Sequence, residues 1–217
     1  VSGQSDAGCA YVFERNEGGA ENWGQVRKLI ASDAAASDYF GASVAVDGDV
    51  IVVGAYGNDD VASLSGSAYV FERDQGGAGN WGQVAKLGPT DQTGGQVFGF
   101  SVAVDGSRIV VGAYGDDEAG SSAGAAYVFE QDAGGTWGER QKLLASDAGD
   151  GDWFGQAVAV RAGTVVVGAF YEDDVALNSG AAYVFGGSTP FVIPGPSAPI
   201  VIDGRAYVGS SNGRLYE

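Results

Sequence analysis

The stretch that decides the fold runs from residue 39 to residue 87 and reads YFGASVAVDGDVIVVGAYGNDDVASLSGSAYVFERDQGGAGNWGQVAKL. Its apolar runs are short, rich in Val, Ile, Tyr and Phe, and bounded by glycine and aspartate. Runs of this kind are typical of β-strands, and Asp47-Gly48 between the first two runs is typical of a tight hairpin. No window keeps apolar residues at helical spacing. The stretch therefore predicts a four-stranded antiparallel sheet.

Three markers of this stretch recur in fixed order along the chain. Phe-Gly begins at Phe40, Phe98 and Phe154, Ala-Tyr-Val-Phe begins at Ala10, Ala68, Ala126 and Ala182, and Trp-Gly begins at Trp23, Trp81 and Trp137. Self-similarity at a period of this length indicates a solenoid or a propeller, and repeated four-stranded sheets usually surround a central axis. We therefore predict an all-β fold, a β-propeller of four-stranded antiparallel blades with about four blades in this chain.

The markers divide one predicted domain over residues 1–217 into five parts. These are a half-blade at 8–30, blades at 40–87, 98–143 and 154–193, and a closing half-blade at 199–217. The first half-blade has the third and fourth strands of a unit, and the last has the first and second. Pairing them would complete one blade from both ends of the chain and remove two exposed strand edges. The alternative is an open array that a second copy or further sequence completes into a larger ring.

The pattern FGxSVAVDG followed by IVVGAY and then by AYVF resembles the FG-GAP repeat, the blade unit of integrin α-chain heads and of many large secreted bacterial proteins. The resemblance covers most of the chain and implies an extracellular or cell-surface location. It also implies a calcium loop between the first two strands of each blade, but that connection is here only Asp47-Gly48-Asp49 or its equivalents, which is too short for such a loop. The segment after Pro199 is similar to the blades of quinoprotein-type (PQQ-like) propellers.

Composition excludes several classes of function. The chain has 28 acidic and 11 basic residues, a net charge of −17, with no histidine, no methionine and one cysteine, Cys9. Binding to nucleic acid requires a basic surface, so we predict no nucleic-acid partner. Catalysis by Ser-His-Asp or Cys-His and metal sites built on histidine are also excluded. No apolar run is long enough to span a membrane, so no membrane insertion is expected.

Acidic clusters follow the second strand of each unit and are the candidate metal ligands. They are Asp59, Asp60, Asp116, Asp117, Glu118, Glu172, Asp173 and Asp174. Carboxylate oxygens suit calcium, which is the only cofactor that the sequence suggests. Aspartate beside glycine is also typical of exposed turns, and the alternating spacing of a calcium loop is missing, so a role in turns is favoured. A second acidic set precedes Phe-Gly at Asp33, Asp38, Asp91, Asp147, Asp150 and Asp152.

The recurring aromatic residues are predicted to pack between blades. Trp23, Trp81 and Trp137 could stack on sugars, but their fixed place in each unit favours packing. The phenylalanines of the Phe-Gly pairs are predicted to form the core between blades.

We expect a non-enzymatic binding or scaffold module that presents loops to a protein or glycan partner. The main alternative is an open array whose end strands join copies into a dimeric ring or a filament, a homo-oligomer through half-blade edges. A propeller recombined or engineered from natural pieces, with no ligand, is a further alternative. A carboxylate-dependent hydrolase is a distant one, because it requires two close, desolvated carboxylates in a cleft.

Overall fold

The computed structural model describes residues 5–174 and 176–186 together with the backbone of four short strands that follow. Every regular element in these residues is a β-strand, and neighbouring strands pair antiparallel within each sheet. The predicted all-β fold is thus confirmed. None of the described segments forms a helix long and apolar enough to cross a membrane.

Three sheets of four strands form the middle of the chain, and we name them blades A, B and C. Blade A contains β3 (Ser43–Asp47), β4 (Val50–Ala55), β5 (Ser67–Glu72) and β6 (Gly82–Leu87). Blade B contains β7 (Ser101–Asp105), β8 (Arg108–Ala113), β9 (Ala125–Gln131) and β10 (Trp137–Leu143). Blade C contains β11 (Phe154–Arg161), β12 (Thr164–Ala169), β13 (Ala181–Phe185) and β14 (Phe191–Pro194). In each blade the strands lie side by side in sequence order, as in a propeller blade.

Two smaller sheets lie at the ends of the chain. The N-terminal pair contains β1 (Ala10–Arg15) and β2 (Trp23–Leu29). The C-terminal sheet contains β15 (Ile200–Ile202), β16 (Arg205–Gly209) and β17 (Leu215–Tyr216). The connection over 195–199 and residues 203–204, 210–214 and 217 of the closing half-blade lie outside the described residues.

The predicted tight hairpins are present in the blades. Asp47 pairs with Val50, so that Gly48 and Asp49 form a two-residue turn, and Gly106 holds the same place in blade B. Both glycines have positive φ, 54° and 55°, which is the conformation that hairpin turns of this length require. The aspartate before each turn also joins two blades: Asp47 Oδ2 accepts a hydrogen bond of 2.7 Å from the backbone N–H of Gly106.

The Phe-Gly pair forms the junction between consecutive blades, as predicted. Phe98 is fully buried between the strands of blade B and side chains of blade A such as Val70. Its backbone forms a parallel bridge with Gly66, and a Cβ on Gly66 would lie 2.0 Å from the carbonyl oxygen of Phe98. Gly99 has a φ of +88°, and a Cβ there would lie 2.3 Å from the carbonyl oxygen of Ser67. Glycine is therefore required on both sides of the junction.

The end sheets do not pair in the described strands. β1 pairs with β2, while β15 and β16 pair with each other in a separate sheet, so the predicted blade completed from both chain ends is not formed here. The first strands of the sheets pack in series: β7 lies beside β3, β11 beside β7, and β15 beside β11. β15 therefore takes the next place in this series, whereas β1 precedes the series at its start.

Candidate functional site

The loops at one end of the blades form the candidate site, which we call the loop face. It contains the connections between the second and third strands and the segments that precede each Phe-Gly. Antiparallel order places both kinds of connection at the same end of a blade. Contacts between them confirm this, because Asp91 before Phe-Gly and Asp116 after β8 both bind Lys142.

In blade B this face is organised around one partly buried ammonium group, that of Lys142. Lys142 on β10 pairs with Tyr127 on β9, and its Nζ lies 5.2 Å from the centre of the tyrosine ring. The ammonium donates to Asp91 at 2.7 Å, to Asp116 at 3.0 Å and to Glu118 at 2.6 Å. Three donors thus meet three carboxylates, which matches the capacity of a lysine. Burial raises the pKa of Asp91, but the hydrogen bond and charge of Lys142 outweigh it and hold that pKa below its usual value.

Blade A repeats this arrangement with a more exposed set of acids. Lys86 pairs with Tyr69 across β5 and β6, and its Nζ lies 5.4 Å from the ring centre. The ammonium donates to Asp33 at 2.7 Å and also to Asp60. Burial raises the pKa of Asp33, but the hydrogen bond from Lys86 and the lysine charge outweigh it and hold that pKa below its usual value. The strand pairing of lysine with tyrosine also occurs between Lys28 and Tyr11 in the N-terminal pair.

The candidate metal ligands are therefore divided among different contacts. Asp60, Asp116 and Glu118 bind lysine, and Asp117 accepts the backbone N–H of Ser122 within its own loop. Asp59 is exposed. Within the residues that the structure describes, no group of three or more Asp, Glu, Cys or His side chains could hold a metal ion. Calcium binding by these residues stays a prediction.

Blade C lacks the lysine. The residue that pairs with Tyr183 is Val192, at the place of Lys86 and Lys142 in the other blades. Tyr183 donates its hydroxyl to Asp147 at 2.6 Å, so the tyrosine and the first carboxylate of the network are still joined.

A second difference places two buried carboxylates together in blade C. In each blade, the side chain at one position closes the turn before Phe-Gly by accepting a backbone N–H. This residue is Asp38 for blade A, Gln96 for blade B and Asp152 for blade C. The other position follows the second strand and is Asn58, Asp116 or Glu172. Blades A and B each combine one carboxylate with one amide, and in blade B Gln96 donates to Asp116 at 2.8 Å.

In blade C both members of this pair, Asp152 and Glu172, are carboxylates and both are buried. Burial raises the pKa of each, and the charges of Asp173 and Asp174 add to the effect on Asp152, while Asp174 and Asp152 add to it on Glu172. Each carboxylate also accepts a backbone N–H within its own loop. Neither lines the cavity of about 640 Å³ beside β1 or the two of about 390 Å³ and 250 Å³ elsewhere in the described residues.

A continuous series of aromatic rings crosses the loop face. We call it the aromatic track, and it consists of Tyr39, Tyr56, Phe100, Tyr114, Trp153, Tyr171 and Phe170. Each ring contacts the next, with ring centres between 4.6 Å and 5.6 Å apart. Every member is at least partly exposed to solvent. The track runs from the segment before blade A, through blade B, to the loop after the second strand of blade C.

Backbone contacts between blades hold the track in place. Tyr39 and Trp153, which directly precede Phe-Gly, have positive φ values of 54° and 58°. This conformation is unfavourable for bulky residues and persists only where surrounding structure imposes it. The N–H of Tyr39 donates to the carbonyl of Asp6, and that of Trp153 to the carbonyl of Ser122. The sequence signal for the track, an aromatic residue after each Gly-Ala, was available but its connection across blades was not predicted.

The recurring tryptophans are separate from the track. Trp81 and Trp137 are buried in the cores between blades, which confirms packing for these two. Trp23, in the N-terminal pair, is exposed. This exposure agrees with the incomplete sheet around it.

Comparison with protein families finds one match. The model described as FG-GAP repeat matches residues 23–71, 81–129 and 137–185, which together are more than half of the chain. Each match begins at Trp-Gly on the fourth strand of one sheet and ends at the third strand of the next. The repeating unit of the sequence therefore links two neighbouring sheets. Comparison with curated proteins found no match.

Proposed function

Because the chain belongs to the FG-GAP repeat family, we propose that it is a non-catalytic β-propeller module that binds a protein or glycan partner through its loop face. Propellers of this kind hold their loops on a rigid sheet scaffold, which suits recognition of a partner. The lysine networks of blades A and B support the proposal, since they fix loops that would otherwise repel one another.

The observation that carries the proposal is the aromatic track. Single exposed apolar side chains are ordinary on protein surfaces, but contiguous ones mark interaction sites. Aromatic rings provide a large contact area at low entropic cost, and they are enriched among the residues that dominate binding energy. The seven rings of the track are contiguous and partly exposed, and two of them, Tyr39 and Trp153, are held by backbone with positive φ.

The surroundings of the track indicate the chemistry of the partner. Its end in blade C, Phe170 and Tyr171, is followed directly by the exposed carboxylates of Asp173 and Asp174. No lysine of β14 stands at the position that neutralises the loops of blades A and B. A partner surface that combines apolar groups with basic side chains or sugar hydroxyls fits this end of the track best. The proposal includes an extracellular or cell-surface location, which the family resemblance supports.

The experiment uses a glycan array and a displayed peptide library as probes. Ligands selected by the unmodified protein are then measured against Phe170→Ala, which removes an exposed ring at the end of the track. The matched control is Leu177→Ala, at a side chain 84% exposed in the same loop but outside the track. We expect affinity to fall by about tenfold or more in Phe170→Ala and to stay unchanged in the control. Equal binding by all three proteins would contradict the proposal.

A further inference from the structure

An open apolar groove lies between the N-terminal pair and blade A. It has a volume of about 640 Å³ and is lined by β1, β3 and their neighbours. Tyr11 and Phe13 on β1 are 49% and 51% exposed, whereas the equivalent Tyr69 and Phe71 on β5 are 0% and 3% exposed. The same residues of the repeat are therefore buried in blade A and open to solvent here.

In blade A, the ring of Phe40, which precedes the blade, packs edge-on against Tyr69 and Phe71. Tyr69 and Phe71 lie on β5, which pairs on one side with β6 and on the other with β4. β1 pairs only with β2 among the described strands. The groove thus lacks a second strand that would pair with the free edge of β1.

The other wall of the groove lacks a first strand. Val44 and Val46 on β3 are exposed. The equivalent Val102 and Val104 on β7 are partly buried against the core between blades A and B, where β3 lies beside β7. A two-stranded hairpin, one strand beside β3 and the other paired with β1, would therefore give this groove the same interface that joins the blades.

The chain contains a hairpin of this kind at its other end. β15 and β16 pair antiparallel, with Ile200 opposite Tyr207, and β15 follows β3, β7 and β11 in the series of first strands. In the described residues, the third strand of this sheet, β17, is two residues long and pairs with Val208 and Gly209. β1 is six residues long, and no described strand pairs with its second edge. An unpaired edge of this length favours strand addition.

We propose that this groove binds the β15–β16 hairpin of a second copy of the chain, with β1 of one copy replacing β17 of the other as the third strand. The hairpin of the same copy lies beside β11, at the far end of the series from β1. Such a contact is head-to-tail, so it closes into a ring when the rotation between copies allows. Two copies would form a ring of about eight blades, within the range known for propellers. This inference does not depend on binding at the loop face.

Light scattering after size exclusion tests the assembly. We expect a species of twice the 21.9 kDa chain mass. Val46→Glu places a charge in the groove at a side chain that is 66% exposed, so it should give a folded monomer. The matched control is Val61→Glu, at a side chain 62% exposed in the loop after β4, and it should remain a dimer. A monomer at all concentrations for the unmodified chain would overturn the proposal.

A disulfide test identifies the hairpin as the occupant. Cys9 is the only cysteine and lines the groove directly before β1. The equivalent of Cys9 in blade A is Ser67, which pairs with Ala55 at the end of the second strand. By sequence, Ser210 holds the place of Ala55 after Gly209. Oxidation of Ser210→Cys should therefore give a covalent dimer, detected by non-reducing electrophoresis, with the unmodified chain as control.

Two other results would overturn this assignment. A monomer that loses both thiols would show that the chain's own hairpin occupies the groove. A dimer in which both thiols stay free would show that another part of the second copy occupies the groove. The loop-face assay can fail without changing any of these results, so the two proposals are tested separately.

Discussion

Replacement of Lys142 by methionine removes the ammonium group at the centre of the blade B network while it keeps most of the side-chain volume. The buried member of the network is Asp116, whose side chain is 2% exposed, and Lys142 itself is 16% exposed. After the substitution Asp116 still accepts hydrogen bonds from Tyr127 and Gln96, but its charge has no cation. Asp91 and Glu118 can turn to water because they are more exposed.

The magnitude follows from this burial. Removal of one partner of a buried ion pair costs about 3–5 kcal/mol, because the remaining charge stays desolvated. The two remaining side-chain donors to Asp116 and the backbone N–H of Glu118, which also donates to it, reduce the loss, so we expect the free energy of unfolding to fall by about 2–4 kcal/mol. In blade A the position of Asp116 is the neutral Asn58, and the carboxylates that Lys86 binds are 36% and 46% exposed. The matched variant Lys86→Met should therefore cost about 1 kcal/mol or less.

The assay is urea unfolding of both variants and of the unmodified protein at neutral pH. The slope of unfolding free energy against urea concentration should be the same for all three, because it depends on the surface area that unfolding exposes. Repeating the urea unfolding at lower pH tests whether the lost stability comes from the charged carboxylates. The pKa of Asp91 is lowered in the folded state, so its pairing stabilises the protein above the ordinary carboxylate pKa of about 4 and is lost as the pH falls further. The difference between Lys142→Met and the unmodified protein should shrink in the same range. Equal losses in the two lysine variants, or a loss that persists in acid, would refute the reasoning.

Three further predictions concern the junctions and the carboxylates. Gly99→Ala should lower the free energy of unfolding, measured with a chemical denaturant, by about 3 kcal/mol or more, because a Cβ would overlap a backbone oxygen at positive φ. Gly106 also has positive φ but has open space around it, so Gly106→Ala should cost about 1 kcal/mol. Asp152→Asn should raise stability at neutral pH by on the order of 1 kcal/mol. Because the pKa of Asp152 is raised in the folded protein, its charged form destabilises the fold above that pKa, and this destabilisation disappears as the pH falls towards about 4. A stability gain of Asp152→Asn that persists at about pH 4 would contradict this. Calcium chloride in place of sodium chloride at equal ionic strength should leave the thermal midpoint unchanged. Lys142 and Lys86 already bind carboxylates of blades B and A, and no group of three or more acidic side chains in the described residues could hold a metal ion. A calcium-dependent rise would contradict this.

The strands, hairpins and blade junctions could be predicted because each depends on residues close together in the repeat. Valine-rich runs, Asp47-Gly48 and Phe98-Gly99 carry their own local geometry. The lysine networks depend instead on strand register. A bulge between Val70 and Phe71 shifts the pairing of β5 with β6 by one residue, and only with that register does Lys86 stand opposite Tyr69.

The aromatic track could not be predicted for a related reason. Its rings come from different blades, so their contacts depend on how one sheet stacks on the next. Val97 interrupts the aromatic pattern before Phe-Gly, and Phe100, two residues after Phe98, takes the place of the missing ring. A substitution of this kind is visible only when the packing between blades is known. The pair Asp152 and Glu172 is similar, since the charge of Asp152 acts on Glu172 only once folding has brought their two loops to the same face.

Amide hydrogen exchange along β1 tests the open blade array most directly. If a second copy fills the groove, the amides of β1 on its free edge should exchange as slowly as those of β5 and β9 at high protein concentration, and quickly after dilution. The same dilution should leave exchange in β5 and β9 unchanged, because those strands are paired on both sides within one chain. Slow exchange of β1 that does not depend on concentration would show that the edge is covered within one copy, and it would contradict the account.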